Sequence, residues 1–401
     1  MIHHHRDSAL MHIFFSLLLC FAYAPACAAP SPATVAVSFD RTHIQPILAE
    51  GLADKATGRR VTADDPVRVA SVSKLVTALG VMRLIEQHQL SLDRDVSEYL
   101  GWRLRNPAFP DRPITLRLLL SHQSSLTDGA DYIVPLGETM RQRLADPRAW
   151  DARHAPGRGW FAYANVNFPV VASVMEAATG ERFDRLMQRL VLRPLRLGAC
   201  YNWSDCRPAT IARAVVLYRD NGAVAKDDLH GVPPPCPVLT ANTAPCLLDA
   251  YTPGWNGALF SPQGGLRISM RDLARIGQMF ARGGRGFLRT GTFAEMTRAQ
   301  WLFTGANRQD DPGAEGFFCA FGLGVQQIGS SEPGCHDGLF ADARPRLGHA
   351  GEAYGLRSGL WYDPVHGRGV AFFTTQVPDR DPGTRSAFTR AEERVVDRAV
   401  R

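Results

Sequence analysis

Lysine is nearly missing. Of 401 residues only Lys55, Lys74 and Lys226 are lysines, so almost all of the positive charge behind the formal net charge of +6 is arginine, spread without a run. A nucleic-acid-binding protein gathers its basic residues on one face with aromatics between them. No such stretch exists, so no nucleic-acid partner is expected, and genome base composition accounts for the arginine bias. Other absences exclude more. No repeat with a solenoid or propeller period is present. No C-x2-C spacing marks a zinc site, and nothing fits the phosphate loop G-x-x-x-x-G-K-[ST]. There is no G-x-S-x-G, which argues against a nucleophile elbow. After the N-terminus no apolar run is long enough for a membrane helix, so no transmembrane anchor is expected. What remains is 45% hydrophobic, enough to bury a sizeable core and too much for disorder or collagen.

The first residues read as a secretory signal. Arg6 precedes an apolar stretch over 13–24, broken only by Ser16, and Ala26-Cys27-Ala28 fits a small-x-small cleavage site. This length suits a signal and is too short to span a bilayer. The expected signal peptide is 1–28, which places the mature protein in the periplasm or outside a bacterial cell. Leu19 is bulky where lipoprotein processing before Cys20 needs a small residue, and the tag-like His3, His4 and His5 leave with the signal. Six cysteines remain: Cys200, Cys206, Cys236, Cys246, Cys319 and Cys335. An even count in an exported chain favours disulfides. Closing the shortest loops pairs Cys200 with Cys206, Cys236 with Cys246 and Cys319 with Cys335.

Strand-like segments are read at 34–39 and 67–70, and a helix at 71–88 that is apolar nearly all round and therefore buried. Helical pieces follow at 116–120, 168–178 and 183–191, and Ser269 with Asp272 opens another in a capping-box pattern. Strands at 357–362 and 369–376 flank the turn Asp363-Pro364-Val365-His366-Gly367, and 390–400 is a terminal helix. Strands at both ends and helices between them give an α/β lobe, about 29–110 plus 255–401, with a helical lobe inserted at about 111–254.

Ser71-Val72-Ser73-Lys74 is an S-x-x-K at the start of the buried helix. One turn separates Ser71 from Lys74, so both side chains lie on one face. A serine hydroxyl needs a base beside it to act as a nucleophile, and a lysine amine serves if burial lowers its pKa. The plainer reading is a helix-capping serine with a solvated lysine. Tyr163-Ala164-Asn165 offers a proton shuttle and an amide-binding group ahead of a helix. His349-Ala350-Gly351 lies in the strand-like last third. Asp227, Asp228 and His230 read as a solvated loop and not a metal site. Trp102, Trp255 and Trp361 read as core or cleft wall, His122 as a hydrogen-bonded structural histidine, and Gly264-Gly265 as a turn entering the capped helix.

Taken together, S-x-x-K, Y-x-N and H-x-G in this order resemble the penicillin-recognising serine hydrolases: class C β-lactamases, D-alanyl-D-alanine carboxypeptidases and their esterase relatives. The likeness runs over about 67–376 and includes Leu119-Leu120-Ser121-His122-Gln123-Ser124-Ser125-Leu126, Arg193-Pro194-Leu195 and Gly264-Gly265-Leu266. It implies an α+β fold of the β-lactamase/DD-peptidase type, an antiparallel sheet flanked by N- and C-terminal helices with an all-helical lobe inserted. It further implies Ser71 as acylated nucleophile, Lys74 as its proton acceptor and Tyr163 as proton relay. Asn165, His349 and Gly351 would bind substrate, and the backbone N–H groups of Ser71 and Glu352 would form the oxyanion hole. No cofactor or metal is implied, and the partner is a small-molecule or peptide-like substrate.

Departures from the family bear on the substrate. The third motif is H-x-G and not K-x-G. Ala350 stands where carboxylate-binding members have a hydroxyl, and Glu352 adds a negative charge that Arg357 is placed to offset. Losing a hydroxyl partner for a carboxylate costs about 1.5–3 kcal/mol. The expectation is therefore an ester or amide hydrolase of DD-peptidase or esterase type with no obligatory substrate carboxylate. A β-lactamase and a non-catalytic cell-wall binding module are the alternatives. Ser125 replaces the usual glycine of a structural turn.

Overall fold

The computed structural model describes residues 31–241, 244–310 and 315–400; the expected signal peptide lies outside them. Eight strands form one antiparallel sheet. In chain order its members are β1 (Thr34–Asp40) and β2 (Ile44–Glu50), then β6 (Trp301–Leu302), β7 (Ala320–Phe321), β8 (Gln326–Ile328), β9 (Arg346–Ala353), β10 (Leu356–Asp363) and β11 (Arg368–Thr374). Their spatial order is β6-β7-β8-β9-β10-β11-β1-β2, so the two ends of the described chain meet where β1 pairs with β11. A second, small sheet joins β3 (Val67–Arg68), β5 (Leu266–Ile268) and β4 (Cys200–Tyr201) in the order β3-β5-β4.

The period-two alternation of the strands serves two cores at once. Leu360, Ala371 and Phe373 pack with the amphipathic helix Met270–Ala281, while Trp361, Val370 and Phe372 pack with Val395 and Val396 of Arg390–Ala399. All of β10 is buried for this reason. An N-terminal helix was expected as one flank; among the described residues nothing helical precedes β1, and Met270–Ala281 takes that face. Ser269 caps this helix by accepting from Asp272 N.

The helices between the sheet segments are α1 (Val72–Glu86), α2 (Leu116–Leu120) and α3 (Asn167–Thr179) among others. Residues 72–82 and 84 of α1 are all buried, as its all-round apolar sequence demands. It packs against β9 on one side and α3 on the other. The helix expected over 183–191 keeps α geometry only at Phe183–Met187. Gln188–Leu192 widens to a π turn closed by Arg193 N donating to Gln188 O, ahead of Pro194. Gly264-Gly265 enters strand β5, not the capped helix directly. The cysteines pair as expected, Cys200–Cys206, Cys236–Cys246 and Cys319–Cys335. No helix among the described residues is long and apolar enough to cross a membrane.

Candidate active site

Between β3 and α1 the chain reverses through Ala70, whose φ of +45° is left-handed. That conformation costs an L-residue on the order of 1–2 kcal/mol. Ser73 holds it, donating to Ala70 O from its N–H at 2.9 Å and from its Oγ at 2.6 Å. The turn delivers Ser71 to the N-cap with helical torsions, and its hydroxyl caps nothing. Lys74 has 0% of its surface exposed. The capping-serine and solvated-lysine reading therefore fails on both residues.

Three oxygens surround Lys74 Nζ: Ser71 Oγ at 2.9 Å, Asn165 Oδ1 at 2.8 Å and the Gln263 carbonyl at 3.2 Å. Burial lowers the lysine pKa to about 7, against the opposing pull of the Asp128 carboxylate. A neutral amine has two N–H groups and a lone pair. Asn165 Oδ1 and Gln263 O can only accept, so they take the N–H groups and leave the lone pair facing the Ser71 hydroxyl. Asn165 cannot flip out of this role. Its Nδ2 and its backbone N–H both donate to Asp128 Oδ2 at 2.9 Å, and Val166 N donates to Oδ1.

Tyr163 lies over the same amine, its ring centroid 4.8 Å from Nζ. The ring is held between His122, 4.4 Å away and stacked, and Phe318 at 4.7 Å. His122 is the hydrogen-bonded histidine expected: its Nδ1 accepts from Ala164 N at 3.2 Å, with Asn167 Nδ2 at 3.1 Å. Burial and the Lys74 charge hold it well below its usual pKa, so the ring is neutral.

His349 sits on β9 with its ring 6.2 Å from that of Tyr163. Its Nδ1 is 2.6 Å from Ala350 O. A carbonyl only accepts, so Nδ1 carries the proton and Nε2 is a buried acceptor without a partner among the described residues. Burial first, and Lys74 second, lower its pKa to about 3. His349 thus supplies no positive charge to the site.

Gly351 of β9 lies against the segment that leads into α1. A methyl there would collide with Val69 O and Ser358 Oγ and stand 3.3 Å from Ser71 N. Only glycine lets the strand lie beside the helix N-terminus, where Ser71 and the next strand residue, Glu352, line one cleft. The Glu352 side chain is 69% exposed and ion-paired to the buried Arg357. Its charge is neutralised, which removes the repulsion expected of it.

A cleft of about 1200 Å³ opens over Ser71 and is bordered by Tyr163, Asn165 and Glu352. The serine, lysine, tyrosine, asparagine and histidine named from sequence thus converge. Sequence reasoning missed Asp128, Gln263 and Phe318. Asp128 stands two residues after Leu126 of the quoted segment and Gln263 just before Gly264-Gly265, the only local signals. It also misread Asp227 as solvated: Asp227 is buried, accepting from Arg267 and from Trp203 Nε1. Trp361 is in the core, whereas Trp255 is exposed. Ser125 has φ +61°, which explains a glycine preference at that turn.

Comparison with known proteins places these features in context. A family model described as Beta-lactamase matches residues 32–393. The chain is 32% identical over 171 residues to Esterase EstB of Burkholderia gladioli, covering 38% of this chain and 42% of that protein. It is 30% identical over 141 residues to the D-alanyl-D-alanine-carboxypeptidase/endopeptidase AmpH of Escherichia coli strain K12, covering 34% and 36%. The chain spans about two fifths of the length of the curated relatives it matches. Among solved structures, the D-amino acid amidase from Ochrobactrum anthropi SV3 superposes with a TM-score of 0.65 at 17% identity, covering 92% of each chain. The octameric penicillin-binding protein homologue from Pyrococcus abyssi gives 0.62 at 19%, covering 92% of this chain and 73% of that one. At such identities the likeness speaks to the fold.

Proposed function

Since the chain belongs to the beta-lactamase family, we propose that it is an exported serine hydrolase that cleaves an ester or amide bond through an acyl-enzyme on Ser71. The observation that carries this reading is the Lys74 amine. It is buried, its pKa is lowered to about 7, and its Nζ lies 2.9 Å from the Ser71 hydroxyl oxygen. A binding module has no use for such a costly group.

In the proposed cycle Ser71 Oγ attacks the substrate carbonyl carbon as its proton passes to Lys74 Nζ. The carbonyl oxygen takes the negative charge and is stabilised by the N–H groups of Ser71 and Glu352, each such donor being worth about 10²–10³ in rate. Collapse expels the leaving group, which receives the proton by way of Tyr163. Water then attacks the acyl carbon and gives its proton to the same base, which passes it to Ser71 Oγ as the acyl C–O bond breaks, releasing the acid product and the free serine. Asn165 binds the acyl side while fixing the amine.

The esterase and carboxypeptidase names of the relatives agree with ester or peptide-like substrates. Ala350 offers no hydroxyl and His349 no charge, so β9 lacks the usual means of binding a carboxylate. This disfavours β-lactam antibiotics. Three disulfides support an oxidising compartment.

The test is intact-protein mass spectrometry after incubation with a fluorophosphonate and with p-nitrophenyl acetate. A single adduct on Ser71, absent in Ser71→Ala, is expected. No adduct and no turnover above Ser71→Ala would leave the binding-module alternative standing. Rapid nitrocefin hydrolysis would instead favour the β-lactamase reading.

A further inference from the structure

Three residues before Ser71, Arg68 ends strand β3 and borders the cleft. Among the described residues its side chain makes no hydrogen bond and no ion pair, and its Nε is buried without a partner. The Tyr354 ring lies 5.3 Å from Cζ, and Arg267, Asp227 and Tyr132 are its electrostatic neighbours. Asp227 does not serve it as a hydrogen-bond partner. Its Oδ1 accepts from Arg267 Nη2 at 2.8 Å and Trp203 Nε1 at 2.9 Å, and its Oδ2 from Arg267 Nε at 3.2 Å. Among the described residues the hydrogen bonds of the Asp227 carboxylate thus go to Arg267 and Trp203, and Arg68 has no carboxylate of its own. Burial and Arg267 lower the Arg68 pKa to about 10, so the group stays charged at neutral pH. Arg68 is half-buried at the cleft wall, with its Nε the buried orphan; a guanidinium carries several N–H donors and no acceptor, and a buried N–H left unpaired is costly. Carboxylates complement it best, through paired N–H···O bonds.

Its position names the part of the substrate it faces. A methyl on Gly264 would stand 3.6 Å from Arg68 Nη2 and 3.9 Å from Ala70 C, so only a glycine separates the guanidinium from the residue before the nucleophile. Along β9, Gly351 lies against Ser71. His349 is two residues to one side of that contact and Tyr354 three to the other, in the turn between β9 and β10. Arg68, under Tyr354, is on the flank away from His349 and Tyr163. With Tyr163 assigned to the leaving group, that flank receives the acyl part.

We propose that Arg68, with Tyr354 beside it, forms an anion subsite for the acyl portion of the substrate, so that preferred substrates are esters or amides whose acyl chain carries a carboxylate several bonds from the reacting carbonyl. This rests on Ser71 as nucleophile and Tyr163 as leaving-group donor. It is distinct from a carboxylate site on β9, which Ala350 and His349 do not equip.

Two readouts test it. The first is kcat/KM for the p-nitrophenyl monoesters of glutaric and adipic acid, each divided by that for the uncharged acyl ester of equal chain length. In wild type the ratio exceeds one. In Arg68→Met and Arg68→Gln it falls at least about tenfold, the loss expected for hydrogen bonds to a charged group, and Arg68→Lys restores part of it. The second is calorimetric binding of monomethyl glutarate to Ser71→Ala, which the added Arg68→Met abolishes. An unchanged ratio, or equal binding with and without Arg68, overturns the proposal. If wild type turns over no ester at all, the hydrolase reading fails, and the binding arm still decides the anion subsite.

Discussion

Lowering the pH of a single-turnover acylation assay titrates the amine that the structure buries beside Ser71. With a pKa of about 7 for Lys74, the neutral, proton-accepting form is about nine tenths of the total at pH 8 and about one hundredth at pH 5. The acylation rate should therefore fall roughly a hundredfold over that interval, with unit slope below the midpoint. An unperturbed lysine, titrating near 10.5, would instead give a rate still climbing tenfold per unit at pH 9. The assay is stopped-flow release of p-nitrophenol from p-nitrophenyl acetate with enzyme in excess, read at a wavelength insensitive to ionisation of the product. Asp128 raises the lysine pKa through its charge, so Asp128→Asn should move the midpoint to lower pH while slowing the plateau, since Asn165 loses an anchor. A midpoint above 9, or a rate flat between pH 5 and 8, would refute Lys74 as the base.

The same burial links catalysis to stability. Unfolded, Lys74 titrates near 10.5; folded, near 7. Between those values the unfolded chain holds a proton that the fold does not, so stability rises with pH through this window and loses that contribution as pH falls to 7. From pH 7 to 9 wild type should gain roughly 2 kcal/mol that Lys74→Met does not, measured by urea unfolding of both proteins. Gly351→Ala places a methyl against Val69 O, Ser358 Oγ and Ser71 N; acylation should drop by about a hundredfold or more while the disulfides still form, and near-normal acylation would contradict the close approach. Phe318→Ala frees one face of Tyr163. If Tyr163 protonates the leaving group, the loss of kcat should be about tenfold greater for an ethyl ester than for a p-nitrophenyl ester, and equal losses would remove that role.

Local chemistry made much of this legible. The α1 helix carries its apolar pattern in consecutive residues, Ser269 announces its own cap, and the cysteines closed the shortest loops available. Ser71 and Lys74 share a helical turn, so their proximity follows from backbone geometry alone. What the sequence could not supply is pairing across long separations. Asp128 acts on Asn165, Gln263 O on Lys74, and Phe318 on Tyr163, each through contacts between segments that no spacing rule connects. Asp227 looked solvated beside Asp228 and His230 because its partner Arg267 is 40 residues away. The flank expected of an N-terminal helix was filled by Met270–Ala281, since a sheet face needs an apolar cover and not a particular sequence position.

Because one turn of α1 holds both the nucleophile and its base, their separation belongs to a single rigid piece. Breathing of the surrounding loops changes which molecules gain entry but barely stretches the path of the proton. The walls come from widely separated stretches, among them residues 236–239, the β9–β10 turn and Arg68. Mutations in any of these can drift toward new acyl groups while the reactive pair stays in tune.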